Sequence, residues 1–287
     1  MSAFESIDIG KSSIPSLIVT VILMTAIPVC FFLCWRRKHK EQTRIIWLIA
    51  GAVGFLVSAR VLELGVHYFC IIADNPVSRF INGNTAAFVL YGITMAGVFE
   101  ECGRHIVLKF IMKKNRTREN AVLYGIGHGG IEILAVLLPS MITYLAIAVL
   151  FSLGDTETAL RALNITEETA AAALPTVQAA AAFNYGAMAI NVIERLLAIL
   201  LHIGLTVIVY YGVVNARKAC LPLAILLHML TDTFPALYQR GIGPLWAVEV
   251  WAAVWTAVVI LIAVDLYRKM EGLAFCRPPH YNEGSVS

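Results

Sequence analysis

Seven long runs of apolar residues dominate this sequence and restrict what the chain can fold into. The hydrocarbon core of a bilayer is about 30 Å thick, and an α-helix crosses it with about 20 apolar residues. Runs of that length lie near residues 14–34, 45–71, 85–108, 120–139, 187–213, 221–238 and 245–267. Because lipid offers the backbone no hydrogen-bond partner, each run is predicted to be a helix. We therefore predict an all-α, polytopic transmembrane helical bundle, with residues 1–287 as a single membrane-embedded domain.

The number of spans is about seven, and one segment leaves room for an eighth. Residues 140–153 are apolar but too short to cross comfortably. They either extend the fourth helix past Pro139, form a further crossing or form a re-entrant piece. The composition supports the membrane assignment, since 59% of residues are hydrophobic and only 14% are charged.

The basic residues predict an orientation in the membrane. They collect in four segments, near residues 36–44, 109–118, 217–218 and 268–277. Loops rich in lysine and arginine near helix ends remain in the cytoplasm. We therefore expect the N-terminus outside, 154–186 as an external amphipathic cap and 268–287 as a cytoplasmic tail. This pattern favours a bacterial plasma membrane, although a protein of the endoplasmic reticulum could carry it too.

Charged residues also occur inside the predicted spans, where an ion costs on the order of 3 kcal/mol or more unless it is paired. Three arginines lie there, each next to an acidic residue, which predicts internal ion pairs. The groups are Arg60 with Glu63, Arg104 with Glu100 and Glu101, and Arg195 with Glu194. Arg60, Glu63 and His67 share a face of the second helix by spacing, and we expect a structural pair with a hydrogen-bonding neighbour there. Glu194 and Arg195 could serve either the scaffold or a site.

Three histidines lie about halfway along their own spans: His128, His202 and His228. With a rise of 1.5 Å per residue, they reach nearly the same depth as Glu100 and Glu101. Neutral imidazoles with a carboxylate are a natural Zn²⁺ ligand set that leaves one position for water. We therefore predict His128, His202 and His228 as ligands of a divalent metal, Zn²⁺ in the first instance.

Two more carboxylates follow histidines by one helical turn. Glu132 shares the face of His128, and Asp232 shares the face of His228. Either could bind the metal or orient an imidazole.

This set of groups suits proteolysis inside a membrane, which requires an activated water and a stabiliser for the oxyanion. Glu100 or Glu101 could act as the general base, a metal or imidazole could face the oxyanion, and Arg104 could hold one carboxylate in place. The expected partners are membrane lipids and a membrane-embedded or membrane-associated protein or peptide substrate. A net charge of +3 gives no indication of nucleic acid as a partner. A proton- or metal-coupled transporter and a non-catalytic membrane scaffold remain as alternatives.

The order of these motifs along the chain resembles a known family. The motifs are Glu-Glu-Cys-Gly-Arg at 100–104, an aromatic residue four before His128, His202, and His-x-x-x-Asp at 228–232. They are similar to those of YhfC-type intramembrane metallopeptidases, which are related to the CAAX-protease and bacteriocin-processing (CPBP) superfamily.

The resemblance implies paired glutamates at Glu100 and Glu101, the first as the base that activates water. His128, His202 and His228 with Asp232 would match the later motifs. Three departures stand out: a shorter spacing to Arg104, Ala198 in place of an aromatic residue, and Asp232 in place of a common asparagine. A metal-dependent and a metal-free glutamate mechanism both remain open, as does the substrate.

Overall fold

The computed structural model describes residues 2–275, and no β-strand occurs among them. Seven helices are long and apolar enough to cross a membrane. We label them α1 (Ser13–Lys38), α2 (Ile45–Ile72), α3 (Thr85–Ile111), α4 (Arg118–Leu153), α5 (Tyr185–Val214), α6 (Cys220–Gln239) and α7 (Leu245–Met270). The predicted all-α class and the seven spans are confirmed.

The structure describes part of the predicted C-terminal tail. The last helix continues beyond the membrane span to Phe275, so the first residues of the predicted tail 268–287 are helical. Residues 276–287 of that tail lie outside the described part of the chain. The orientation of both termini across the membrane stays a prediction.

Helix α4 contains the segment whose role the sequence left open. It has 36 residues and includes 140–153, which therefore extend the fourth helix and do not form a separate crossing. At 1.5 Å per residue such a helix is about 54 Å long, well beyond the hydrocarbon core of about 30 Å. Pro139 is tolerated because it lies in the first turn of the α-helical section Leu138–Leu153, where a backbone N–H is not required.

The first part of α4 is the centre of the bundle. Every residue from 120 to 130 is buried. A Cβ atom added to Gly127 would lie 2.0 Å from the backbone oxygen of Leu48 in α2, and one added to Gly125 would lie 2.6 Å from the Cα of Ile203 in α5. Small residues permit such close approach of helix backbones in membranes. These two glycines therefore accommodate neighbouring helices.

Residues 154–186 form two further helices, Thr156–Ala162 and Glu167–Ala181. They enclose a small apolar cluster with the chain start and the end of α4, made by Phe4, Ile147, Leu160, Val177 and Ala180. The hydroxyl of Ser13 at the start of α1 donates to the backbone oxygen of Ala180 at 2.7 Å. The predicted cap is thus packed onto α1 and α4, and its location outside the cell stays a prediction.

Three of the spanning helices contain π-helical sections. These are Leu56–Glu63 and Tyr68–Ile72 in α2, Val107–Ile111 in α3 and Ile133–Leu137 in α4. A π-helical turn bonds residue i to i+5 and occurs often at functional sites. Side chains beyond such a turn no longer share the face that α-helical spacing predicts for them.

Candidate active site

The groups predicted at one depth meet inside the bundle. The ring centres of His128 and His202 are 4.7 Å apart, and those of His202 and His228 are 5.7 Å apart. The three rings come from α4, α5 and α6, and each residue is at most 4% exposed. Their convergence is observed, while their roles in catalysis and metal binding stay predictions.

Glu100 connects two of these histidines. Its Oε2 lies 3.0 Å from Nε2 of His128 and 3.9 Å from Nδ1 of His202. The potential ligand atoms of these three residues all lie within 4.8 Å of one another. Among the described residues His228 is not part of this group. The geometry thus brings together two imidazoles and a carboxylate, where the sequence predicted three imidazoles.

Glu101, the next residue, has no free oxygen. Its Oε2 accepts from Nη1 of Arg104 at 3.0 Å, and its Oε1 accepts from Nδ1 of His228 at 2.9 Å. The side chains of Glu101 and Arg104 are both completely buried. A buried ion pair of this kind is costly to break, because removal of one partner leaves an uncompensated charge. Arg104 therefore does hold one carboxylate, and that carboxylate belongs to Glu101.

The two neighbouring glutamates consequently differ in what they can do. The side chain of Glu100 is 11% exposed, and that of Glu101 is fully buried. The Oε1 of Glu100 makes no hydrogen bond to any residue in the described part of the chain. Glu100 is therefore the member of the pair with an oxygen left for a further partner.

His202 lies between a cation and a carboxylate. Nη2 of Arg104 donates to its Nδ1 at 3.0 Å, because a guanidinium can only donate. The ring proton therefore lies on Nε2, which donates to Oε2 of Glu132 at 2.7 Å. Nη1 of Arg195 lies 3.8 Å from the other oxygen of Glu132. Glu132 thus orients His202 on the neighbouring helix α5. It does not orient His128, although the two residues are one turn apart on α4.

His228 and Asp232 form the more open side of the site. Nε2 of His228 lies 3.4 Å from Oδ2 of Asp232, as their spacing of one turn predicts. The side chain of Asp232 is 34% exposed, more than any of the other candidate residues described above. A substrate or water would reach the site most readily here.

The polar group on α2 is arranged differently from the prediction. Glu63 is buried and pairs with Nε2 of His67 at 3.2 Å, while Nδ1 of His67 bonds the hydroxyl of Tyr91 at 2.7 Å. Arg60 is exposed and forms no ion pair with Glu63 among residues 2–275, so that predicted pair is wrong. The reason is the π-helical section Leu56–Glu63, which shifts the two side chains out of register. Tyr91 was not foreseen, and its only signal was a hydroxyl within an apolar span.

The donor chemistry of the Glu100 group fits a divalent metal. Two imidazoles and one carboxylate are a ligand set that Zn²⁺ commonly uses. His202 directs Nδ1 towards Glu100, and its other nitrogen is fixed by a carboxylate, as is usual for histidines that bind metals. Binding through Nδ1 would displace the hydrogen bond from Arg104. Glu100, His128 and His202 are therefore the residues that could hold the ion.

The chain is similar to known membrane proteins along most of its length. A family model described as YhfC intramembrane metalloprotease matches residues 23–252. A protein of Bacillus subtilis (strain 168) described as "Uncharacterized membrane protein YhfC" is 30% identical over 259 residues, which cover 90% of this chain and 96% of that protein. No solved structure matches the chain. The chain is an integral membrane protein and belongs to the YhfC intramembrane metalloprotease family.

Proposed function

We propose that this chain is an intramembrane endopeptidase in which Glu100 activates a water for attack on a peptide bond, with Zn²⁺ as the assisting metal. The observation that carries the proposal is the buried group of Glu100, His128 and His202 beside a second carboxylate–histidine pair. Its location within the spanning helices favours a membrane-embedded or membrane-associated protein or peptide as substrate. A relation to the CAAX-protease and bacteriocin-processing superfamily rests on motif order alone.

Each residue has a distinct proposed task. The free Oε1 of Glu100 accepts a proton from water as the water oxygen attacks the carbonyl carbon, and the glutamic acid returns that proton to the leaving amine. Glu101, fixed by Arg104, holds Nδ1 of His228 and so directs Nε2 towards Asp232 and the open side. In its protonated form Nε2 can donate to the oxygen on which negative charge develops. Asp232, 3.4 Å from the same nitrogen, would accept this hydrogen bond until the substrate oxygen replaces it.

The metal would be held by His128, His202 and Oε2 of Glu100, which leaves Oε1 of Glu100 for the proton of the water. When bound, a divalent ion acidifies water and polarises a carbonyl group, the two effects that hydrolysis of an amide requires. Glu132 would fix His202 from behind through its 2.7 Å hydrogen bond, and Arg195 would fix Glu132 in turn.

Proteome-wide mapping of new N-termini tests the activity even where the substrate has not been identified. The wild type, Glu100→Gln and His228→Ala are expressed in a bacterial host, with Glu168→Gln as a control because Glu168 is an exposed carboxylate in the cap. We expect new termini within apolar segments of membrane proteins for the wild type and the control, and their loss in both site variants.

The same variants separate the alternatives. Full cleavage by Glu100→Gln and His228→Ala would refute the proposed roles. Proton or metal flux in proteoliposomes, without any cleavage by the wild type, would identify a transporter instead.

A further inference from the structure

A cavity lies away from the candidate active site, where α3 and α5 end and α6 begins. Its volume is about 360 Å³. It is lined by His105, Lys109, Gly212, Val213, Ala216, Arg217, Lys218 and Leu221. None of the candidate catalytic or metal-binding residues lines it. The cavity therefore requires an explanation separate from proteolysis.

The lining of this cavity is cationic. Lys109, Arg217 and Lys218 contribute three positive charges, all three residues are exposed, and no carboxylate lines the cavity. Helix α6 also begins here, at Cys220, and its N-cap residue Ala219 supplies no side-chain hydrogen bond. The positive end of this 20-residue helix adds to the same field. An anion is the ligand that this combination favours.

The floor of the cavity is apolar and rigidly built. Val213 and Leu221 are half-buried there. Ala216 has a left-handed backbone with φ of 53°, a conformation that a non-glycine residue adopts only when its surroundings hold it. The loop is closed by a 2.9 Å hydrogen bond from the backbone N–H of Arg217 to the oxygen of Gly212. The cavity is thus a preformed feature of the turn between α5 and α6.

The surface next to the cavity is apolar and exposed. On α3, next to Lys109, the apolar side chains of Ile106, Phe110 and Ile111 are 51%, 55% and 66% exposed, as expected for a surface in contact with acyl chains. Apart from His105, every polar side chain of the lining is a cation, so the lining is poorly suited to recognise a sugar or a base. The cavity therefore combines positive charge with an apolar floor at the level of the headgroups, which suits an amphiphilic anion.

We propose that this cavity binds the phosphate-bearing headgroup of an anionic phospholipid. Lys109, Arg217 and Lys218 would contact the phosphate together with the start of α6, and Val213 and Leu221 would contact the glycerol and the first acyl carbons. Inorganic phosphate could bind the cationic residues but has no apolar part to contact Val213 and Leu221. Binding of a phospholipid can therefore be distinguished from binding of free phosphate.

Native mass spectrometry of the full-length protein in uncharged detergent tests the site. The probes are phosphatidylglycerol and phosphatidylcholine with matched acyl chains. The variant Arg217→Gln/Lys218→Gln is compared with Lys113→Gln/Lys114→Gln, which removes the same charge from exposed residues at the same end of the bundle but outside the cavity. We expect the cavity variant to lose about 25-fold in affinity for phosphatidylglycerol, about fivefold for each charge. The control should lose far less, because its two lysines do not line the cavity.

A third variant tests the apolar part without any change of charge. Val213→Phe fills the floor of the cavity and should weaken phosphatidylglycerol binding while leaving the net charge as it is. Equal losses in the cavity variant and the lysine control would overturn the proposal in favour of diffuse surface charge. Binding of inorganic phosphate that the cavity variant abolishes, with no preference for phosphatidylglycerol over phosphatidylcholine, would overturn the lipid assignment.

Discussion

The close approach of α2 to α4 gives a quantitative test of how the site is held together. A Cβ atom added to Gly51 would lie 2.1 Å from the backbone oxygen of Tyr124 and 2.9 Å from the backbone nitrogen of His128. Ordinary contact begins at 3.4 Å, so Gly51→Ala forces the two helices apart by about 1.3 Å, directly at His128. Backbone atoms cannot rotate away as a flexible side chain would. The change therefore affects both the stability of the bundle and the position of the imidazole.

The same helix provides a matched control. A Cβ atom added to Gly65 meets nothing within 4 Å. Both substitutions gain up to about 1 kcal/mol of helix propensity, but only Gly51→Ala suffers the overpacking, which costs about 1–3 kcal/mol. We expect Gly51→Ala to lower the free energy of unfolding by that amount relative to Gly65→Ala.

Thermal unfolding in detergent and cleavage of an identified substrate are the two measurements. At about 2–4 °C per kcal/mol, Gly51→Ala should unfold several degrees below Gly65→Ala. A displacement of His128 of about 1 Å should also reduce cleavage about 100-fold, whereas Gly65→Ala should cleave as the wild type does. Equal unfolding temperatures for the two variants would refute the proposed close contact between the helices.

Three further predictions concern the polar groups of the site. Arg104→Met leaves the buried Glu101 with His228 as its remaining partner and should lower the free energy of unfolding by about 3–5 kcal/mol in a denaturant titration. A variant as stable as the wild type would show that the carboxylate is not charged in the bundle. Glu132→Gln should weaken zinc binding about 10- to 100-fold, because His202 loses the carboxylate that orients it. Competition with a chelator measures this affinity, and an unchanged affinity would exclude His202 as a ligand. His228→Ala should keep its metal, measured by elemental analysis of the purified protein, while losing cleavage; loss of the metal would make this histidine a ligand after all.

The fold could be predicted from the sequence because lipid imposes a simple rule. A helix in lipid must form all of its backbone hydrogen bonds internally and present apolar side chains for the full thickness of the bilayer. The seven spans therefore follow from hydropathy alone. The depth of His128, His202 and His228 also follows, since every residue advances a helix by the same 1.5 Å. That the three histidines share one depth was thus foreseeable from the positions of the residues along their spans.

The pairing of side chains could not be predicted in the same way. Depth says nothing about the rotation of a helix around its own axis, and that rotation determines which partner a residue faces. Glu132 illustrates this, because its spacing suggested His128 while the packing of α5 against α4 brings it to His202. Arg60 illustrates a second cause, the π-helical turns of α2, which have no clear signature in the sequence.

Burial of the first part of α4 would restrict how a substrate of the proposed protease is accommodated. Residues 120–130 are enclosed by protein, so little space is left for His128 to move towards a peptide. On the proposed function, the scissile bond would therefore have to be brought to the site. The most exposed side of the site is at Asp232, and a helical substrate would have to unwind there, because its carbonyl groups are otherwise engaged within its own backbone. Sequences that unwind easily should therefore be cleaved in preference to stable helices of equal hydrophobicity.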